Sequence, residues 1–189
     1  GFVTVHSSLV MQCIAQWGTP EQQARYLPRM AKGELIGCYG LTEPEAGSDA
    51  ASLATKATRT SDGYALSGRK IWITNGNIAG LAIVFAKLGT LGDKKPHEQV
   101  TAFLLEMPSA GLTRVPMPGK ELGHRASDHA QLVLDGACVP ESNVLGGEGM
   151  GFKVAMSALD FGRLGVAAGA LGVHQACLDA SVEIGRAHV

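Results

Sequence analysis

The sequence predicts an α+β fold: a mostly antiparallel β-barrel or sandwich flanked by α-helices at both ends. Three observations carry it. Apolar residues recur at helical spacing near both termini. Between about 34 and 144 they alternate, or run on continuously, in short segments bounded by turn residues. No βαβ unit interrupts those segments. The expected division is the end of a helical domain at 1–33, a middle β-domain at 34–146 and the start of a second helical domain at 147–189.

In chain order, Val3, Leu9, Val10, Ile14 and Trp17 lie at helix-compatible intervals, and Gly18 stops them. Thr19-Pro20-Glu21-Gln22 opens a second helix, with Thr as N-cap, Pro in the first turn and Gln three residues on. That helix runs to about Lys32, and Gly33 ends it. Residues 58–66 read as a hairpin around the Asp62-Gly63 turn. The nearly continuous apolar run 81–87 implies a strand buried on both faces. A polar, solvated and mobile loop is expected at 89–99, then strands at 100–107, 112–115 and 130–134.

From Gly149 the pattern is helical again, with a further run from about Arg163. There Gly162, Gly165, Gly169 and Gly172 recur every three or four residues. A mid-helix glycine costs about 1 kcal/mol against alanine, so the series needs a reason. Close helix packing is the commoner reason and is expected at Gly169 and Gly172; at Gly162 and Gly165 the approach of a flat ligand stays open.

The totals exclude several functions. A net charge of −1, with no more than two adjacent basic residues, argues against a nucleic-acid surface. The uninterrupted apolar runs are too short to span a bilayer. Cys13, Cys38, Cys138 and Cys177 lack metal or redox spacing and read as free thiols in a reducing compartment. His124 and His129 share no obvious face, so no metal site is expected. The chain begins on Gly1-Phe2-Val3 within an apolar pattern and stops at Val189 inside a helix, so both ends read as cut.

Two stretches carry chemistry. Residues 37–49, Gly-Cys-Tyr-Gly-Leu-Thr-Glu-Pro-Glu-Ala-Gly-Ser-Asp, read as a strand broken at Pro44. A glycine turn with positive φ at Gly47 and a Ser48-Asp49 helix cap follow. Such an order can aim backbone N–H groups at an anion, and it also describes a plain capped turn. Residues 69–76, Arg-Lys-Ile-Trp-Ile-Thr-Asn-Gly, read as a strand ending in an Asn-Gly turn. Period two puts Ile71 and Ile73 on one face and Lys70, Trp72 and Thr74 on the other. The second face could stack a planar ligand and hydrogen-bond its edge, or cover a second core.

Together these stretches resemble the flavin-binding signature of the acyl-CoA dehydrogenases. Leu122-Gly123-His124-Arg125-Ala126-Ser127-Asp128 and Gly147-Glu148-Gly149-Met150-Gly151-Phe152 fit the same family, in the same order. No strand followed by GxGxxG and a helix offers a Rossmann alternative.

The resemblance implies FAD between the β-domain and the C-terminal helices. It would be held by Tyr39, Leu41, Thr42, Gly47 and Ser48 and by Trp72, Ile73 and Thr74. Trp72 offers a ring face, Thr42 and Thr74 offer polar groups to the flavin edge, and Gly47-Ser48 offer N–H groups to the pyrophosphate. Acyl-CoA would meet Ser48 and the segment Asp160, Phe161, Gly162 and Arg163, although Asp160 and Arg163 alone read as an i,i+3 surface ion pair.

The implied reaction is α,β-dehydrogenation of an acyl-CoA thioester, with electrons leaving to an electron-transferring flavoprotein. No catalytic base is expected in this chain. Most of the family uses a Glu further downstream. The isovaleryl-type branch uses the position that matches Gly162, and Glu43 and Glu45 suit turn-making beside Pro44. The resemblance further implies a homodimer or homotetramer, in the cytoplasm if bacterial and in the mitochondrial matrix if eukaryotic. Acyl-CoA oxidases, flavin monooxygenases and a non-enzymatic β-barrel binding module remain alternatives on the same fold.

Overall fold

A computed structural model of the chain describes residues 1–117 and 127–186. The N-terminal helix is continuous through α1 (Phe2–Thr4), a π-helical segment (Val5–Met11) and α2 (Gln12–Trp17), and Gly18 leaves it in extended conformation. α3 (Pro20–Ala31) carries the expected start: Gln22 N donates to Thr19 Oγ1 at 3.2 Å, and Thr19 N donates to Gln22 Oε1 at 3.0 Å. Beyond it Gly33 sits at φ +74°.

The strands are β1 (Gly37–Gly40), β2 (Lys56–Thr60), β3 (Gly63–Thr74), β4 (Leu81–Leu88), β5 (Val100–Glu106), β6 (Leu112–Pro116), β7 (His129–Pro140) and β8 (Val144–Leu145). They form one sheet in the order β6-β7-β3-β2-β4-β5-β8, with β1 also on β4. The pairings are antiparallel except β1 with β4 and β2 with β4. The path has two ends, so the barrel expectation is corrected: the sheet is not closed. The α+β, sandwich-like alternative stands. Residues 122–126 of the expected 122–128 motif, His124 among them, lie outside the described residues.

β4 shows why the apolar run reads as it does. Leu81, Ile83 and Phe85 face a core shared with the helices, while Ala82, Val84, Ala86 and Leu88 face a second core within the sandwich. The 89–99 segment is solvated as expected, but it folds into two 3-10 turns, Gly89–Leu91 and Pro96–Gln99. Gln99 Nε2 draws them together through the carbonyls of Gly92 and Lys94.

α4 (Gly151–Arg186) is one helix rather than two runs. Its first turns bury Val154, Ala155 and Ala158 in the helix–sheet core. The N-terminal helix docks there too: Trp17 Nε1 donates to Ser157 Oγ at 2.9 Å. By length and composition alone α4 is apolar enough to cross a membrane, a property the search for uninterrupted apolar runs missed. Its remaining turns are exposed, and nothing lies within 4 Å of a Cβ built at Gly165, Gly169 or Gly172. The close packing expected at Gly169 and Gly172 is therefore not made within the described residues, and only Gly162 has a neighbour, Leu9 Cδ2 at 3.2 Å.

Candidate functional site

The two chemistry-bearing stretches meet. Ile71 N donates to the carbonyl of Thr42 at 3.0 Å, joining the middle of the first stretch to the C-terminal part of β3. Lys70 Nζ reaches across the same gap to Leu41 O at 3.3 Å and to Glu43 Oε1 at 2.6 Å. β1 brings the first stretch here because it lies parallel to β4, with Tyr39 opposite Ile83.

A bulge decides what β3 presents. Its pairing with β7 shifts register between Lys70 and Ile73, and Trp72 takes φ +57°. The strict alternation expected for 69–76 is thereby corrected. Lys70 points inward with no exposed surface, Ile73 is also buried, and Ile71 and Thr74 are half-buried. Trp72 stands out at 56% exposure. A left-handed backbone costs an L-residue about 1–2 kcal/mol, so an exposed tryptophan held that way suits presentation better than packing. The strand ends where expected: Asn75 takes φ +66° and Gly76 N bonds back to Ile73 O. Asp128, from the third motif, closes this turn by accepting from Asn77 N at 2.9 Å.

The remaining site residues divide. Tyr39 is buried against Phe85, and its hydroxyl donates to the carbonyl of Ala155 in α4. Leu41 is buried in the same core, and Thr42 is half-buried. Gly47 and Ser48 are exposed, and Gly47 does not take the positive φ expected of it. The expected helix cap is corrected as well. Asp49 precedes only a three-residue 3-10 turn, Ala50–Ser52, and makes no side-chain cap. Asp160 and Arg163 form a 2.6 Å ion pair on an exposed part of α4, with Phe161 and Gly162 between them. The bonds that lace 41–43 to 70–71 extend neither to Ser48 nor to that segment.

Glu43 proves to be a bracing carboxylate, in keeping with its reading as a turn residue. Its backbone exchanges hydrogen bonds with Ala46. Its carboxylate accepts from Ala54 N, Thr55 N, Thr55 Oγ1 and Lys70 Nζ. Burial opposes its ionisation, but the Lys70 charge and these donors together hold its carboxyl below the ordinary range. For Lys70 burial dominates and brings the ammonium down to about 8, with Glu43 pulling the other way. Sequence reasoning missed this pair, since period two placed Lys70 outside. A single inserted residue inverts that assignment, and no turn residue announces it.

An exposed indole and half-buried Thr42 and Thr74 thus lie on two backbones tied together by the Thr42–Ile71 bond. Three family descriptions match consecutive parts of the chain. Acyl-CoA dehydrogenase, N-terminal domain matches residues 1–34, the middle domain matches 38–137 and the C-terminal domain matches 149–188. The chain belongs to the acyl-CoA dehydrogenase family.

Among acyl-CoA dehydrogenases it is 42% identical to the mitochondrial 2-methylacyl-CoA dehydrogenase of Solanum tuberosum, over 93% of this chain and 42% of the relative. Butyryl-CoA dehydrogenase from Megasphaera elsdenii superposes with TM-score 0.88 at 43% identity, over 96% of this chain and 47% of that one. A glutaryl-CoA dehydrogenase from Mycobacterium smegmatis, in complex with FADH2, gives 0.81 at 38% identity, over 90% and 42%. The chain thus spans less than half the length of each.

Proposed function

We propose that this chain is the flavin-holding part of an FAD-dependent acyl-CoA dehydrogenase, whose full-length protein oxidises acyl-CoA thioesters to 2-enoyl-CoA. One observation carries the reading: the Thr42–Ile71 backbone bond sets the two signature stretches side by side, with Trp72 held out from the bulge. The M. smegmatis relative, solved with FADH2, supports the cofactor. FAD, when bound, supplies the acceptor for the substrate hydride.

The chain's own residues bind and orient. Trp72 offers its indole face, and Thr42 and Thr74 offer polar groups to the ring edge. The backbones of Tyr39, Leu41 and Ile73 shape the platform, since their side chains are buried. Gly47 and Ser48, exposed on the following turn, serve the pyrophosphate, and Ser48 also meets acyl-CoA. Asp160, Phe161, Gly162 and Arg163 hold acyl-CoA along α4, which joins a helical domain rather than a membrane.

No residue here is assigned as the catalytic base. Glu43 is committed to Lys70 and Thr55, and Gly162 has no side chain to offer. The base comes from a Glu elsewhere in the full-length protein, electrons leave to an electron-transferring flavoprotein, and the enzyme is a homodimer or homotetramer. Its domains divide at 33/34 and 146/147. A eukaryotic version works in the mitochondrial matrix, as the name of the S. tuberosum relative suggests, and a bacterial one in the cytoplasm.

The test compares a full-length protein carrying this chain with the isolated 189-residue chain. The former should purify yellow and reduce a dye acceptor with some acyl-CoA. The latter should bind FAD weakly and show no turnover. A colourless full-length protein, or steady turnover by the isolated chain, refutes the proposal.

A further inference from the structure

Lys70 is the most completely buried charged side chain described, with none of its surface exposed, yet it lies in mid-strand on an otherwise apolar face. A buried ion pair adds little net stability, because desolvating both charges offsets their attraction; a well-packed apolar pair does as well or better. Its presence asks for another reason, and the contacts supply one. Lys70 Nζ holds both Leu41 O and Glu43 Oε1, the residues on either side of Thr42. Thr42 itself receives Ile71 N. Thr55 N and Oγ1 donate to that same Glu43 Oε1, and Ala54 N pins the other carboxylate oxygen. The Lys70 side chain, beside the Thr42–Ile71 backbone bond, thus braces the 41–43 backbone against the bulge that carries Trp72.

We propose that Lys70, acting through Glu43 and Leu41, is a positioning residue for the flavin edge: it sets the spacing between the Leu41–Thr42 backbone and the Trp72–Thr74 segment. The assignment rests on the functional reading above. Apolar or neutral substitution of both partners removes the brace without leaving a lone buried charge, so Lys70→Met/Glu43→Gln is the informative variant.

In the full-length, FAD-loaded protein the double variant should fold, with far-UV circular dichroism like the wild type. It should release FAD at least tenfold more readily and shift the long-wavelength flavin absorption band. A folded double variant with unchanged FAD affinity and unchanged band overturns the assignment and leaves the pair as core packing only. If the double variant does not fold, Thr55→Val decides. It removes one donor from Glu43 and should shift the band in the same direction with about a threefold loss of FAD affinity; no shift overturns the assignment. A wild-type protein that yields no flavin on denaturation fails the functional reading itself, and this inference with it.

Discussion

The Tyr39 hydroxyl donates a 3.2 Å hydrogen bond to the carbonyl of Ala155, so the first strand of the β-domain is tied directly to the first buried turns of α4. Burial keeps the phenol protonated well above its ordinary range, so it remains a donor at any working pH. Tyr39→Phe removes this one bond and leaves the ring on Phe85 at 5.0 Å. Denaturant unfolding of the full-length protein should then show a loss of about 1 kcal/mol. Because Ala155 already has a helical partner for its carbonyl, a loss above about 3 kcal/mol would show that the bond does more than this geometry implies.

Trp72 combines high exposure with a left-handed backbone, so its side chain adds little to the core while its conformation costs energy. Trp72→Gly removes the ring and relieves the backbone. Its melting behaviour should stay within about 1 kcal/mol of wild type, while flavin retention falls at least tenfold. Trp72→Phe should retain most of the flavin. A glycine variant that melts far earlier, or one that still holds flavin, contradicts the role given to this residue.

The Glu43 carboxyl titrates below its ordinary value of about 4.5 in the folded protein. The unfolded chain therefore binds more protons as pH falls through the carboxylate range. The stability Glu43 contributes is present above that range and is lost as pH falls through its folded value. Thermal melts from pH 6 to pH 3 should decline less steeply for Lys70→Met/Glu43→Gln, which removes the carboxylate without leaving a lone buried charge, than for wild type. Parallel slopes would mean that other carboxylates govern the acid limb.

Much of this molecule is legible in the chain because local chemistry and tertiary structure agree. Thr19 with Gln22, the Asp62-Gly63 turn, the two-faced run of β4 and the Asn75-Gly76 stop all appear where residue type places them. The site was legible in its segments but not in its orientation. Tyr39, Leu41 and Ile73 lie in the signature yet turn their side chains into the cores, because a strand between two packed layers has little free surface. Lys70 was misplaced by one bulge, an extra β3 residue between Lys70 and Ile73 that shows only in the pairing with β7. Gly47 shows the converse: a glycine is free to take positive φ and need not do so. Gly165, Gly169 and Gly172 of α4 stay unexplained by contacts, because the described residues place nothing within 4 Å of a Cβ there.

Gly151 offers the sharpest packing test, since it opens α4 directly against β5. A Cβ built there meets the backbone of Thr101 at 2.6 Å and Ala102 N at 2.7 Å, and neither can move aside as a flexible side chain would. Gly151→Ala must therefore lift the helix or distort the strand, and overpacking of this kind costs about 1–3 kcal/mol. The shift also loosens the Tyr39–Ala155 bond one turn further on, so flavin affinity should fall along with stability. Gly89→Ala is the matched control, with nothing within 4 Å, and should stay within about 0.5 kcal/mol of wild type. Equal stability of the two alanine variants in denaturant unfolding would mean that α4 does not seat on β5 as closely as Gly151 requires.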